Sequence, residues 1–177
     1  MTSDEAAPRD PLRGLAKANI ILGIASLIRF GPELVLILQQ RPNGEYLALL
    51  AMDLVIAGLW LKSGLSLRKH SEEAIRFVSI AGAVIFAHGG ASGYFFGREL
   101  LRFSGNILRE PQILAFIGSR FLIYAIEFAY WPFALIRLSN LASAKGRRPE
   151  VVIIAAWSFV IAAVAQSIVL SVVFKRP

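Results

Sequence analysis

Residues 151–174 read VVIIAAWSFVIAAVAQSIVLSVVF, 24 positions without a charge and with one strongly polar side chain, Gln166. A helix rises about 1.5 Å per residue, so on the order of 20 apolar residues cross the roughly 30 Å of hydrocarbon in a bilayer. A helix that is apolar all round has no face to give to water. Its natural solvent is lipid. Four upstream stretches reach the same length: Ala18–Leu38, Tyr46–Leu67, Ala74–Phe96 and Gln112–Ile136. The expected fold is therefore all-α, a polytopic transmembrane helical bundle of five spans. The alternative is four spans, with the first stretch lying in the interface.

Composition agrees. Hydrophobic residues make up 56% of the 177-residue chain and charged residues 18%, the latter below the roughly 25% of a soluble domain. There is no cysteine, which excludes disulfides and thiolate chemistry. The net charge of +7 gathers at the ends of the apolar stretches, which is a topology signal rather than a nucleic-acid face. Residues 1–17, with Pro8 and Pro11, read as a disordered polar arm. Residues 18–174 form one membrane domain. Residues 97–111 form an outside connection in which Leu100, Leu101, Ile107 and Leu108 suggest a short interfacial helix.

Five spans put eleven basic residues on one side: Arg9, Arg13, Lys17, Lys62, Arg68, Lys69, Arg76, Arg137, Lys145, Arg147 and Arg148. Six fall on the other: Arg41, Arg98, Arg102, Arg109, Lys175 and Arg176. Cytoplasmic loops hold the excess of Lys and Arg, so the expectation is a multi-pass protein of the cell membrane with a cytoplasmic N-terminus. Arg41-Pro42-Asn43-Gly44 has the residues of a tight turn, which makes the first two helices an antiparallel hairpin. Tyr130, Trp131 and Trp157 suit an aromatic belt.

Charges inside apolar stretches are expensive, and by default mark functional or packing sites. Arg29 and Glu33 lie four residues apart on one helix face beside Pro32. Arg120, Tyr124, Glu127 and Trp131 share a face of the fourth stretch, where Glu127 is deep enough to need a cation; Arg120 or Arg29 is the expected partner. Asp53 shares a face with Ala57, Trp60 and Gly64. His88 sits one turn before Ser92 and can either pack or relay protons. Gly89, Gly93 and Gly97 recur every four residues, the small-residue spacing that lets two membrane helices approach closely.

No nucleophile, metal or cofactor motif is present, so neither an enzyme nor a metal or cofactor protein is expected. Two functions fit the seven polar candidates Arg29, Glu33, Asp53, His88, Arg120, Tyr124 and Glu127. In the first, buried charges fix helix packing in a structural, scaffold or assembly subunit of a membrane complex. The alternative is a proton- or ion-coupled small-solute transporter or channel working as a homo-oligomer. Expected partners are the lipid bilayer and other membrane helices, from copies of this chain or from another protein.

Overall fold

In the computed structural model the described residues are 11–39, 44–107, 111–144, 146 and 148–173; side chains are described for 12–31, 44, 47–98, 101, 118–144, 146, 150–166 and 168. They form five helices and no strand: α1 (Pro11–Gln39), α2 (Gly44–Leu67), α3 (Glu72–Ile107), α4 (Pro111–Ser143) and α5 (Arg148–Val173). Four contain segments long and apolar enough to cross a membrane: Leu12–Gly31, Leu47–Leu67, Glu72–Arg98 and Gly118–Ser143. The first stretch is among them. The apolar part of α5 among the described residues is shorter, Glu150–Gln166.

Sequence explains where the helices begin. Proline is at home in the first helical turn, where its missing N–H is no loss, and both α1 and α4 open on one, Pro11 and Pro111. Thus α1 starts at Pro11 rather than at Ala18, and Leu15 and Ala16, expected in the polar arm, are buried in the core. Ser71 caps α3 by accepting a hydrogen bond from the Ala74 amide at 3.1 Å, with Glu72 and Glu73 in the first turn. A second expectation is corrected at the far end of α3. Residues 97–107 continue that helix without a break instead of forming a connection with its own short helix. No proline interrupts the run before Pro111, and a lone Gly105 weakens a helix without ending it. Residues 40–43 and 108–110, including most of the expected turn, lie outside the described residues.

The helices pack as two hairpins, α1 with α2 and α3 with α4. Helix α3 lies at the centre, also touching α2 and α5. Close approach is built from glycine. A Cβ on Gly64 of α2 would meet the Ala16 carbonyl oxygen of α1 at 2.8 Å, and one on Gly23 of α1 would meet the Leu61 amide at 2.9 Å. The core runs through Leu15, Ile56, Trp60, Leu67, Val78, Ile85, Trp131 and Leu138. Trp60 packs with its ring tilted against Trp131 at 5.1 Å and Tyr130 at 5.3 Å between centroids, joining α2 to α4.

The surface reverses the soluble pattern. Ile21, Ile28, Val55, Leu122, Phe133, Ile136, Trp157 and Ile161 are exposed, while Asp53, His88, Arg120 and Glu127 are buried. Ionisable groups facing the interior of an apolar-skinned bundle are what a hydrocarbon solvent selects. The architecture fits a multi-pass membrane protein.

Candidate functional site

Asp53 is the hub of a buried charge network. Arg29 of α1 donates from Nη2 to Asp53 Oδ2 at 2.9 Å, and Arg120 Nη1 of α4 lies 3.5 Å from the same oxygen. The other oxygen, Oδ1, accepts from the Tyr124 hydroxyl at 3.3 Å and faces His88 Nε2 of α3 at 3.3 Å. His88 then reaches on with Nδ1 to Glu127 Oε2 of α4, 2.7 Å away. Four helices are linked by one continuous chain, Arg29–Asp53–His88–Glu127. The side chains of Asp53, His88, Arg120 and Glu127 are at most 4% exposed, and that of Arg29 is 14% exposed.

The glycine stripe makes this geometry possible. A Cβ on Gly89, next to His88, would meet both the Tyr124 carbonyl oxygen and Glu127 Cβ at 2.7 Å. Only a hydrogen side chain lets the α3 backbone sit this close to α4. One turn on, a Cβ on Gly93 would stand 3.5 Å from Tyr124 Cβ, and one on Gly97 would stand 3.3 Å from the Phe121 ring. The expected stripe and the expected charges are therefore one device: glycine sets the helix separation that a 2.7 Å histidine–carboxylate contact requires.

Aromatic rings close the site. The Arg120 guanidinium lies 5.5 Å from the Phe96 ring centre and that of Arg29 lies 5.6 Å from Phe30. Tyr124 meets His88 edge-on at 5.2 Å. His88 has a carboxylate oxygen at each ring nitrogen, and a neutral imidazole carries one N–H only. The ring therefore donates to at least one of the two carboxylates, and its tautomer decides which.

Several sequence expectations change here. The partner of Glu127 is His88, not Arg120 or Arg29, because both arginines turn to Asp53. Arg120 lies two helical turns from Glu127 along α4, roughly 10 Å of rise. Arg29 pairs across to α2 rather than only within α1; the side chain of Glu33 lies outside the described residues. Trp131 belongs to the core and not to an aromatic belt. Tyr130 likewise turns inward, donating to Asn19 Oδ1 of α1 at 2.7 Å. Trp157 is 65% exposed, as a belt residue would be.

Two polar contacts escaped the sequence reading. Gln166 of α5 donates to Ser92 Oγ of α3 at 2.8 Å, and Asn19 receives Tyr130. The signal was present in each case: an amide within an apolar stretch of helix must find a partner when it is buried. A cleft of 340 Å³ opens between α2, α3 and α5, lined by Met52, Val55, Val84 and Ala162, with His88 and Gln166 in its wall. No family model, curated protein or solved structure matches the chain.

Proposed function

We propose that this chain is a structural or assembly subunit of a membrane complex, with its buried charges fixing the packing of α1 to α4. The observation that carries this reading is the chain Arg29–Asp53–His88–Glu127, which takes one residue from each of four helices and pairs each with the next. A membrane gives helices little hydrophobic drive to associate, so specific polar contacts and small-residue packing must select the arrangement. The lipid-facing surface of α5, with Ile153, Trp157, Ile161 and Val164 exposed, is then available to partner helices. The excess of basic residues on one side supports a cytoplasmic N-terminus in the cell membrane.

The test is purification of the tagged chain from native membranes in mild detergent, followed by the mass of the intact particle. The expected result is a stoichiometric complex with a second membrane protein. A homo-oligomer with no other protein would overturn the subunit reading.

One observation favours a second reading, proton-coupled transport of a small solute by a homo-oligomer: His88, which bridges Asp53 and Glu127, lines the cleft between α2, α3 and α5. The two readings separate on Glu127→Gln in proteoliposomes. A transporter variant stays folded and loses flux. A packing variant loses folded yield, and the loss is shared with His88→Leu.

A further inference from the structure

At the end of the bundle where α1 begins and α2 stops, a cavity of 490 Å³ is lined by Arg13, Ala16, Lys17, Leu67, Arg68 and His70. Three of these six are Arg or Lys and a fourth is a histidine, and among the described residues none of the lining is acidic. The volume falls within the roughly 300–1,000 Å³ of small-molecule sites and exceeds what a bare phosphate fills. We propose that this cavity binds the phosphate of an anionic phospholipid headgroup.

Its walls are fixed. Ala16 and Leu67 form a buried apolar floor, and the Gly64 contact with the Ala16 carbonyl holds the two helices together just above it. Arg13 and Lys17 stand four residues apart, on one face of α1. From α2, Arg68 follows the last helical residue. His70 then takes a left-handed conformation, φ 51°, with Nδ1 3.0 Å from the Leu67 carbonyl oxygen, which pins the ring at the rim.

Two further observations point to an anion of the membrane surface. Like charges gathered on one cavity repel unless a counter-anion joins them. Depth is the second. The cavity sits at the outer ends of the membrane-crossing segments Leu12–Gly31 and Leu47–Leu67, the level at which headgroups lie. Basic clusters at this depth favour a phosphate, while the opposite dipole ends of α1 and α2 meet here and offset each other. Glu72 and Glu73 follow in the first turn of α3 and do not line the cavity.

The test uses the full chain, delipidated in a neutral detergent, with thermal unfolding and native mass as readouts. The probes are phosphatidylglycerol, phosphatidylcholine with the same acyl chains, and inorganic phosphate. The expected result is retention of one or two phosphatidylglycerol molecules and a rise in Tm with that lipid alone. The triple variant Arg13→Gln, Lys17→Gln, Arg68→Gln is expected to keep its fold and bind at least tenfold more weakly. The double variant Lys62→Gln, Arg137→Gln, outside the cavity, is expected to bind as the parent does. Equal protection by inorganic phosphate would move the assignment to a free phosphate and overturn the lipid. Equal losses in both variants would mean diffuse attraction to the bilayer and overturn the site, as would absence of any headgroup preference.

Discussion

Helices α3 and α5 pack against each other, yet sequence and burial run in opposite directions between them. After Glu150, α5 carries no charge up to its end at Val173, whereas α3 holds His88, four glycines between 82 and 93, and charges at both ends. In water the more apolar helix would be the core. Here it is the outer one: Trp157, Ile161 and Val164 of α5 are exposed, while Val78, Ile85 and His88 of α3 are enclosed. Lipid is as apolar as leucine, so hydrophobicity no longer sorts helices inward; polar groups and small residues do. The helix with most to satisfy takes the centre.

The sharpest way to break this contrast is Gly89→Leu. The side chain would have to enter the space held by the Tyr124 carbonyl and Glu127 Cβ, and backbone cannot yield as a flexible side chain does. Overpacking combined with loss of the His88–Glu127 contact is expected to destabilise by about 4 kcal/mol or more. Size-exclusion chromatography should show loss of the folded peak. Gly93→Ala, where the new methyl meets Tyr124 Cβ at an ordinary 3.5 Å, should leave that peak intact, as should Val160→Leu on the exposed face of α5.

Next in size is Asp53→Leu. It removes the carboxylate that Arg29 pairs with and that Arg120 also approaches, and removing one side of a buried ion pair costs about 3–5 kcal/mol. Adding Arg29→Met should recover part of the loss, since the charge that Asp53 paired with at 2.9 Å is then removed as well. Thermal unfolding of the two variants checks this. Additive losses would mean that the two residues do not act as a pair.

Gln166→Leu probes the one strongly polar residue of the outer helix beyond Glu150. The bond to Ser92 Oγ contributes about 1 kcal/mol, and the Ser92→Ala, Gln166→Leu double variant should lose no more than the worse single one. A double-mutant cycle that gives no coupling would show that α5 is held by apolar packing alone.

Much of this was legible beforehand. Length and hydropathy fixed the helices because a bilayer sets a minimum apolar span, and the charges in those spans could only be costly, so Asp53, His88, Arg120 and Glu127 stood out as one-letter anomalies. Pairing was not legible. Arg120 and Glu127 share a face, which made them look like partners, but each looks across to a different helix, and the crossing that decides this comes from tertiary packing. Nor was the fate of Tyr130 and Trp131, because an aromatic pair near a helix end reads the same in a belt as in a core. Asn19 and Gly82, on helices distant in sequence, turn them inward: the first accepts from Tyr130 and the second leaves room for the Trp131 ring.

The smallest effect expected lies at the polar edge of the same helix pair. Arg76 of α3 meets Glu150 of α5 at 3.1 Å, with both side chains about half exposed, 49% and 53%. An exposed pair gains little because water and salt screen it and two long side chains must be held still, so Arg76→Gln should shift stability by less than about 1 kcal/mol. The shift should shrink further as salt is raised, whereas the loss in Asp53→Leu should hardly respond, because salt does not reach a buried pair. Measuring both variants at low and high ionic strength therefore separates the two kinds of charge by a property other than size. If Arg76→Gln proved as damaging as Asp53→Leu and as indifferent to salt, the α3–α5 contact would depend on its polar edge, and the inside-out sorting of the two helices would need a different cause.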